Sequence, residues 1–169
     1  AAKAEAFEEE IDRFHRRTSY EYVASVRLET AGATSVVSQH DTDNDGLWTG
    51  MYGAAECFAY AATGSPGARR RARKAFEALK FLSEVTQGGS HPTDPGFIAR
   101  TILPTSGPDP NEGRLEQDRQ RRAERDSSWK VIDPRWPTSA DGKWYWKTDA
   151  SSDELDGHFF FYAAYYDLV

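Results

Sequence analysis

Over residues 1–17 the apolar positions Ala4, Phe7, Ile11 and Phe14 recur at helical spacing, with Glu8, Glu9, Glu10 and Arg13 on the other faces. This pattern predicts an amphipathic helix. The period then shortens: Tyr22, Val23, Val26 and Leu28, followed by Val36 and Val37 after Ala31-Gly32-Ala33, predict two short extended segments joined as a hairpin. The polar run His40-Asp41-Thr42-Asp43-Asn44-Asp45-Gly46 reads as a loop, and a helix is expected from Leu47 to Thr63, stopped by Gly64 and Pro66. Met51, Ala55, Phe58 and Ala62 line one face of it, and Trp48, Tyr52, Glu56 and Tyr60 line the next. Apolar or aromatic on several sides, it reads as an inner helix contacted all round. The following segment, Pro66 to Val85, carries a single stripe of Ala68, Ala72, Ala75, Leu79 and Leu82, joined by Phe76, and is otherwise Arg, Lys and Glu. An inner helix tied by a tight Gly-Ser-Pro turn to a one-sided partner is an αα-hairpin, the repeating unit of an α/α toroid.

Residues 87–150 lack sustained periodicity except over 113–127, a charged stretch that reads as an exposed short helix or mobile segment. A loop this long inside a compact domain is uncommon. Its flanks carry Phe97, Trp129, Trp136, Trp144, Tyr145 and Trp146, so the expectation is a structured lid over one end of the helices, not a tether. Ser151-Ser152-Asp153-Glu154 has the form of an N-cap and acidic first turn. Beyond it Leu155, Phe159, Tyr162, Tyr166 and Val169 make one stripe and His158, Phe161, Tyr165 and Leu168 another, which predicts a second inner helix with no outer partner. The fold class expected is mainly α: αα-hairpins of a partial (α/α) toroid, with a small β-hairpin and a long aromatic lid loop at 87–150. Residues 1–169 then form a single domain or a segment of a larger one, completed by the rest of that domain or by another chain.

Composition narrows the function. A net charge of -6 and a pI near 5.2 argue against nucleic acid or an anionic membrane as partner, because those surfaces need a clustered positive excess. The run Arg69-Arg70-Arg71-Ala72-Arg73-Lys74 lies within the helical pattern and reads as a solvated outer face. No stretch approaches the roughly 20 apolar residues of a membrane span. The single cysteine, Cys57, sits among apolar neighbours and is expected to be a buried small hydrophobe. Aromatics at 13% and five tryptophans serve packing, and they are also what sugar rings stack against.

Three segments resemble uncharacterised secreted bacterial proteins of the six-hairpin glycosidase-like class: His40 to Tyr52 (HDTDNDGLWTGMY), Phe58 to Gly64 (FAYAATG), and Trp146 to His158 (WKTDASSDELDGH). The resemblance covers residues 20–169. It implies an (α/α) toroid whose loops at one end surround a carbohydrate pocket, and a periplasmic or extracellular location. Members of this superfold include hydrolases, lyases, epimerases and proteins of unknown role, so the resemblance implies fold more firmly than chemistry.

Two acidic clusters are the candidates for that chemistry. Asp41-x-Asp43-x-Asp45-Gly46 has the spacing of the first half of a calcium loop, but the twelfth position is Tyr52 instead of the bidentate Glu. Calcium on Asp41, Asp43 and Asp45 is therefore a weak expectation, and no other cofactor is expected. The bland reading has Asn44 or Asp45 capping the helix that follows. The functional one turns Asp43 or Asp45 into a pocket as a catalytic carboxylate. In the second cluster Glu154 and His158 are i, i+4 neighbours, so the carboxylate could orient the imidazole, while Asp153 could be only a cap and His158 only a core histidine. Glycoside hydrolysis needs one protonated and one ionised carboxyl. The candidates for these and for the assisting group are Asp43, Asp45, Asp153, Glu154 and His158. His40, Trp48, Tyr52, Arg100, Trp144 and Trp146 are expected to contact an oligo- or polysaccharide. Three alternatives stay open: a lyase-like elimination using His40, Tyr52, His158 and Arg100, a non-catalytic saccharide-binding or sensory module, and a purely structural helical segment completed by a partner chain.

Overall fold

A computed structural model describes residues 2–33, 35–39 and 41–169, with Val36 and Val37 described for backbone alone. The described chain is mainly helical, with small two-stranded antiparallel sheets. It divides into two compact units, one built from Ala1–Lys80 and Ser152–Val169, the other from Phe81–Ser151.

In the first unit the Ala/Glu-rich helix α1 spans Ala2–Glu10 and passes through a π-helical turn at Ile11–His15. It buries no residue, and Phe7 stays 53% exposed. The expected continuous helix to Arg17 ends early because Arg16 and Arg17 turn into strand β1, which pairs with β2 (Tyr22–Val23) in the register Arg17↔Tyr22. Strands β3 (Arg27–Leu28) and β4 (Val36–Ser38) close the expected hairpin around the Ala-Gly-Ala turn.

Helices α2 (Asp45–Thr63) and α3 (Pro66–Glu84) are joined at Gly64, which adopts the left-handed conformation (φ 67°) and donates its N–H to the Tyr60 carbonyl at 2.7 Å. The α3 stripe falls where its spacing predicts: Ala68, Ala72, Ala75, Leu79 and Leu82 are all buried. The prediction for α2 needs correction. Met51 and Phe58 are each 51% exposed, and the buried face is the small-residue one of Gly46, Gly50, Gly53, Ala54 and Cys57. The cause is helix α5 (Ser152–Leu168), which lies so close that a Cβ on Gly50 would sit 2.6 Å from the Gly157 carbonyl oxygen, and one on Gly53 would sit 2.6 Å from Phe161 Cζ. Small side chains admit the neighbouring backbone, and large ones are left outside. On α5 the stripe of His158, Phe161 and Tyr165 faces in, whereas Phe159 and Tyr166 of the other stripe are exposed. The core gathers Ala54, Cys57, Ala72, Ala75, Leu79, Phe161 and Ala164, capped by Phe76 stacked on Tyr165 at 4.4 Å.

The second unit is structured, as its aromatics predict. Strand β5 (Ile102–Pro104) pairs with β6 (Trp144–Trp146). The charged stretch does form a helix, α4 (Arg114–Glu124). Its inward anchor is Asp118, which accepts from Trp129 Nε1 at 2.9 Å and from Arg135 Nε at 2.7 Å. Arg135, 1% exposed, also binds Asp149 and the Lys130 carbonyl. Burial disfavours the Asp118 anion, yet the bonds from Trp129 and Arg135 hold its carboxyl below the ordinary range.

Candidate functional site

The two acidic segments, about a hundred residues apart in the chain, meet at the first turn of α2. Glu154, 1% exposed, accepts the backbone N–H of Gly46 at 2.9 Å and of Leu47 at 3.1 Å. A carboxylate from another helix thus caps α2, satisfying orphan amides and complementing the positive end of the helix dipole. The Asn44 cap suggested by sequence does not form: Asn44 makes no side-chain cap bond, and its amide donates to the Thr42 carbonyl at 2.7 Å. Gly46 has no alternative residue here, because a Cβ would lie 2.5 Å from His158 Nε2 and 2.8 Å from Glu154 Oε2.

Asp45, fully buried, forms an ion pair with Arg17 from β1. Arg17 is itself 6% exposed and lies over the Tyr22 ring at 5.8 Å. A buried pair of this kind fixes the end of α2 against the β1–β2 hairpin; it also removes Asp45 from the carboxylates able to work on a substrate or to share a cation with Asp41 and Asp43. Nothing near Arg17 in the chain marks it as a partner for Asp45; only the tertiary fold brings the two together.

His158 is fully buried, with Nδ1 3.0 Å from the Tyr162 hydroxyl, and burial pushes its pKa down to about 4. It is therefore a neutral imidazole at ordinary pH. Its Nε2 has no hydrogen-bond partner among the described residues. Asp41 and Asp43 are half-buried in the preceding loop, where Asp43 takes the left-handed conformation (φ 61°) and donates its N–H to Asp41 Oδ1 at 3.2 Å. Burial, and then the neighbouring Asp43 carboxylate, raise the pKa of Asp41. From sequence, Asp41 is expected only as a weak calcium ligand.

Of the expected saccharide contacts, Trp48 is 41% exposed on α2. Tyr52 is engaged: its hydroxyl donates to Glu8 at 2.7 Å and accepts from Arg16 at 2.8 Å. Asp153 is exposed in the first turn of α5. His40 lies outside the described residues. Arg100, Trp144 and Trp146 belong to the second unit, where Arg100 donates to the Asp149 carbonyl at 3.3 Å and Trp144 packs edge-on to Phe81. Trp146 is corrected as a stacking platform, since it is 1% exposed and set edge-on to Phe97 in the interior.

The chain matches no family model, no curated protein and no solved structure. Among the described residues no group of three His, Cys, Asp or Glu side chains is placed to hold a metal.

Beside the acidic segments lies a separate ionic cluster. Glu56, 5% exposed on α2, and Glu8 of α1 share Arg71 of α3, which reaches Glu56 at 2.9 Å and Glu8 at 3.0 Å. Burial and the adjoining Glu8 raise the pKa of Glu56 to about 7, with Arg71 working in the opposite direction. Cys57, next in sequence, is fully buried, and burial followed by Glu56 pushes its thiol up to about 11, in keeping with a packing role.

Proposed function

We propose that this chain is part of an (α/α) toroid that hydrolyses a saccharide, with Asp41 as general acid, its proton affinity raised by burial and then by the neighbouring Asp43 carboxylate, and Asp153 as the carboxylate that activates water. The observation that carries the reading is the junction itself: Glu154 docked on the Gly46 and Leu47 amides brings the Asp41–Asp45 segment and the first turn of α5 together. In that arrangement Asp45, Glu154 and His158 are frame, held by Arg17, by backbone amides and by Tyr162, and Asp41, Asp43 and Asp153 are the less buried carboxylates of the same two segments. Asp41 gives its proton to the glycosidic oxygen as that bond breaks; Asp153 takes a proton from the water that attacks the anomeric carbon, so the products sum to substrate plus water. Trp48 offers a ring for the sugar face. The exposed apolar side chains of α2 and α5 supply the toroid part of the proposal, because neighbouring hairpins of a ring would cover them.

The test is mass spectrometry of neutral and uronate-containing oligosaccharides incubated with the chain and with Asp41→Asn and Asp153→Asn. The expectation is hydrolysis products from the unchanged chain and a loss of about a thousandfold or more in each variant, with circular dichroism unchanged. Hydrolysis that persists in both variants would sink the assignment. A second reading, saccharide binding without turnover, is favoured by the structural employment of Asp45 and Glu154; binding with no product on any substrate would select it.

A further inference from the structure

The tip of the β1–β2 hairpin and one face of α3 enclose a cleft of about 400 Å³, lined by Ser19, Tyr20, Arg70, Arg73, Lys74 and Glu77. That size suits a small molecule of one or two rings. Along α3 the lining positions recur at i, i+3, i+4 and i+7, the single face that the hairpin tip overhangs. From sequence this face reads as plainly solvated; the tertiary fold gives it a roof.

The roof is held in an unusual backbone state. Thr18 and Glu21, neither of them glycine, both take the left-handed conformation, at φ 62° and 60°. Each such residue costs about 1 kcal/mol or more and persists only where its surroundings over-determine it. Here Glu21 is gripped by Lys74 Nζ through both carboxylate oxygens, at 2.7 and 2.9 Å. Lys74 is thereby neutralised, and so is the acid facing it. Arg70 and Arg73 are left exposed with no ion-pair or hydrogen-bond partner among the described residues. The lining thus sets two unengaged guanidinium groups, which bind planar oxyanions through paired N–H donors, beside Tyr20, methylene stems and the Glu77 carboxylate; with Lys74 and Glu21 cancelling, the two arginines outweigh Glu77 and the cleft stays positive.

We propose that this cleft binds an oxyanion-bearing ring compound, its carboxylate or sulfate held by Arg70 and Arg73 and its ring laid against Tyr20. The choice of an acidic sugar as that compound rests on the saccharide reading above; the anion-and-ring chemistry does not. A large polyanion is not the fit, because the cleft is small and the net charge of -6 repels one.

Isothermal titration would use three probes: a glucuronate-containing disaccharide, a sulfated disaccharide and a neutral disaccharide of the same size. Saturable binding of one or both acidic probes is expected, weakening with added salt, and their relative affinity tells carboxylate from sulfate. The neutral probe should bind at least tenfold more weakly. Arg70→Gln with Arg73→Gln, both at exposed positions on α3, should leave the circular dichroism unchanged and weaken the acidic probes by roughly tenfold for each guanidinium removed. Tyr20→Ala should weaken binding without altering its salt dependence. Equal binding of the neutral probe, unaltered affinity in the double arginine variant, or no binding of any probe would overturn the proposal. Since titration reads binding and not turnover, acidic-probe binding without hydrolysis sinks the proposed reaction alone, and hydrolysis of neutral sugars without acidic-probe binding sinks the cleft alone.

Discussion

At the residue scale, Glu56 and His158 are buried groups whose proton affinities are shifted by the fold in ways that oppose each other. Glu56 binds its proton more tightly folded, about 7, than in the ordinary state, 4.5. Its contribution to stability is therefore complete at low pH and is lost as pH rises through about 7. His158 binds its proton less tightly folded, about 4 against 6.5, so its contribution is present above the ordinary histidine range and is lost as pH falls toward 4. Replacing Glu56 by Gln removes the first effect alone. The expected result in urea titrations at several pH values is that the Glu56→Gln chain no longer loses stability between mildly acidic pH and pH 8, while the fall on further acidification remains. Equal pH dependence in both chains would show that Glu56 does not carry its proton into that range. Neither shift is legible in the sequence, where Glu56 is one of two acids in the α2 segment; the neighbouring Glu8 that helps raise it comes from α1, across 47 intervening positions of chain.

At the element scale, the boundaries of α2, α3 and α5 follow from the sequence because caps, stops and stripes are local. Gly64 must end α2 for the reason any left-handed C-terminal position favours glycine. The start of α2 is different. Its cap comes from Glu154, which no local pattern could assign to Gly46 and Leu47. Glu154→Ala should cost about 1–2 kcal/mol, the range of a lost cap, and Glu154→Gln less, because an acceptor remains while the charge that complements the dipole is gone. Thermal unfolding of the two variants checks the order, and an Ala variant no less stable than the Gln variant would contradict the capping role. The buried face of α2 was likewise hidden: hydrophobicity pointed to Met51 and Phe58, whereas close approach of α5 selected glycine and alanine. Apolar periodicity measures transfer from water, and says little about how near a second backbone will come.

At the scale of the whole molecule, residues 81–151 form a compact unit of their own, and four of the five tryptophans, Trp129, Trp136, Trp144 and Trp146, lie in it. Tryptophan emission is thus chiefly a report on that unit. Arg135 binds both Asp118 and Asp149 there. Arg135→Met leaves two carboxylates without their common cation, a change expected to cost about 3–5 kcal/mol. The emission midpoint in urea should move down accordingly, and an unmoved midpoint would show that Asp118 and Asp149 are satisfied without it. The sequence by itself determined the helical class, the α2–α3 hairpin and its Gly64 hinge, the dry stripe of α3 and the structured character of the aromatic-rich segment, since each depends on spacing and turn chemistry within a few residues. Only the tertiary structure decided that Asp45 is paired with Arg17, that Glu154 caps α2, that Trp146 is interior and that the arginine face of α3 is roofed by the hairpin tip. Those outcomes depend on which segments meet, and burial and charge pairing between distant segments have no signature in either segment alone.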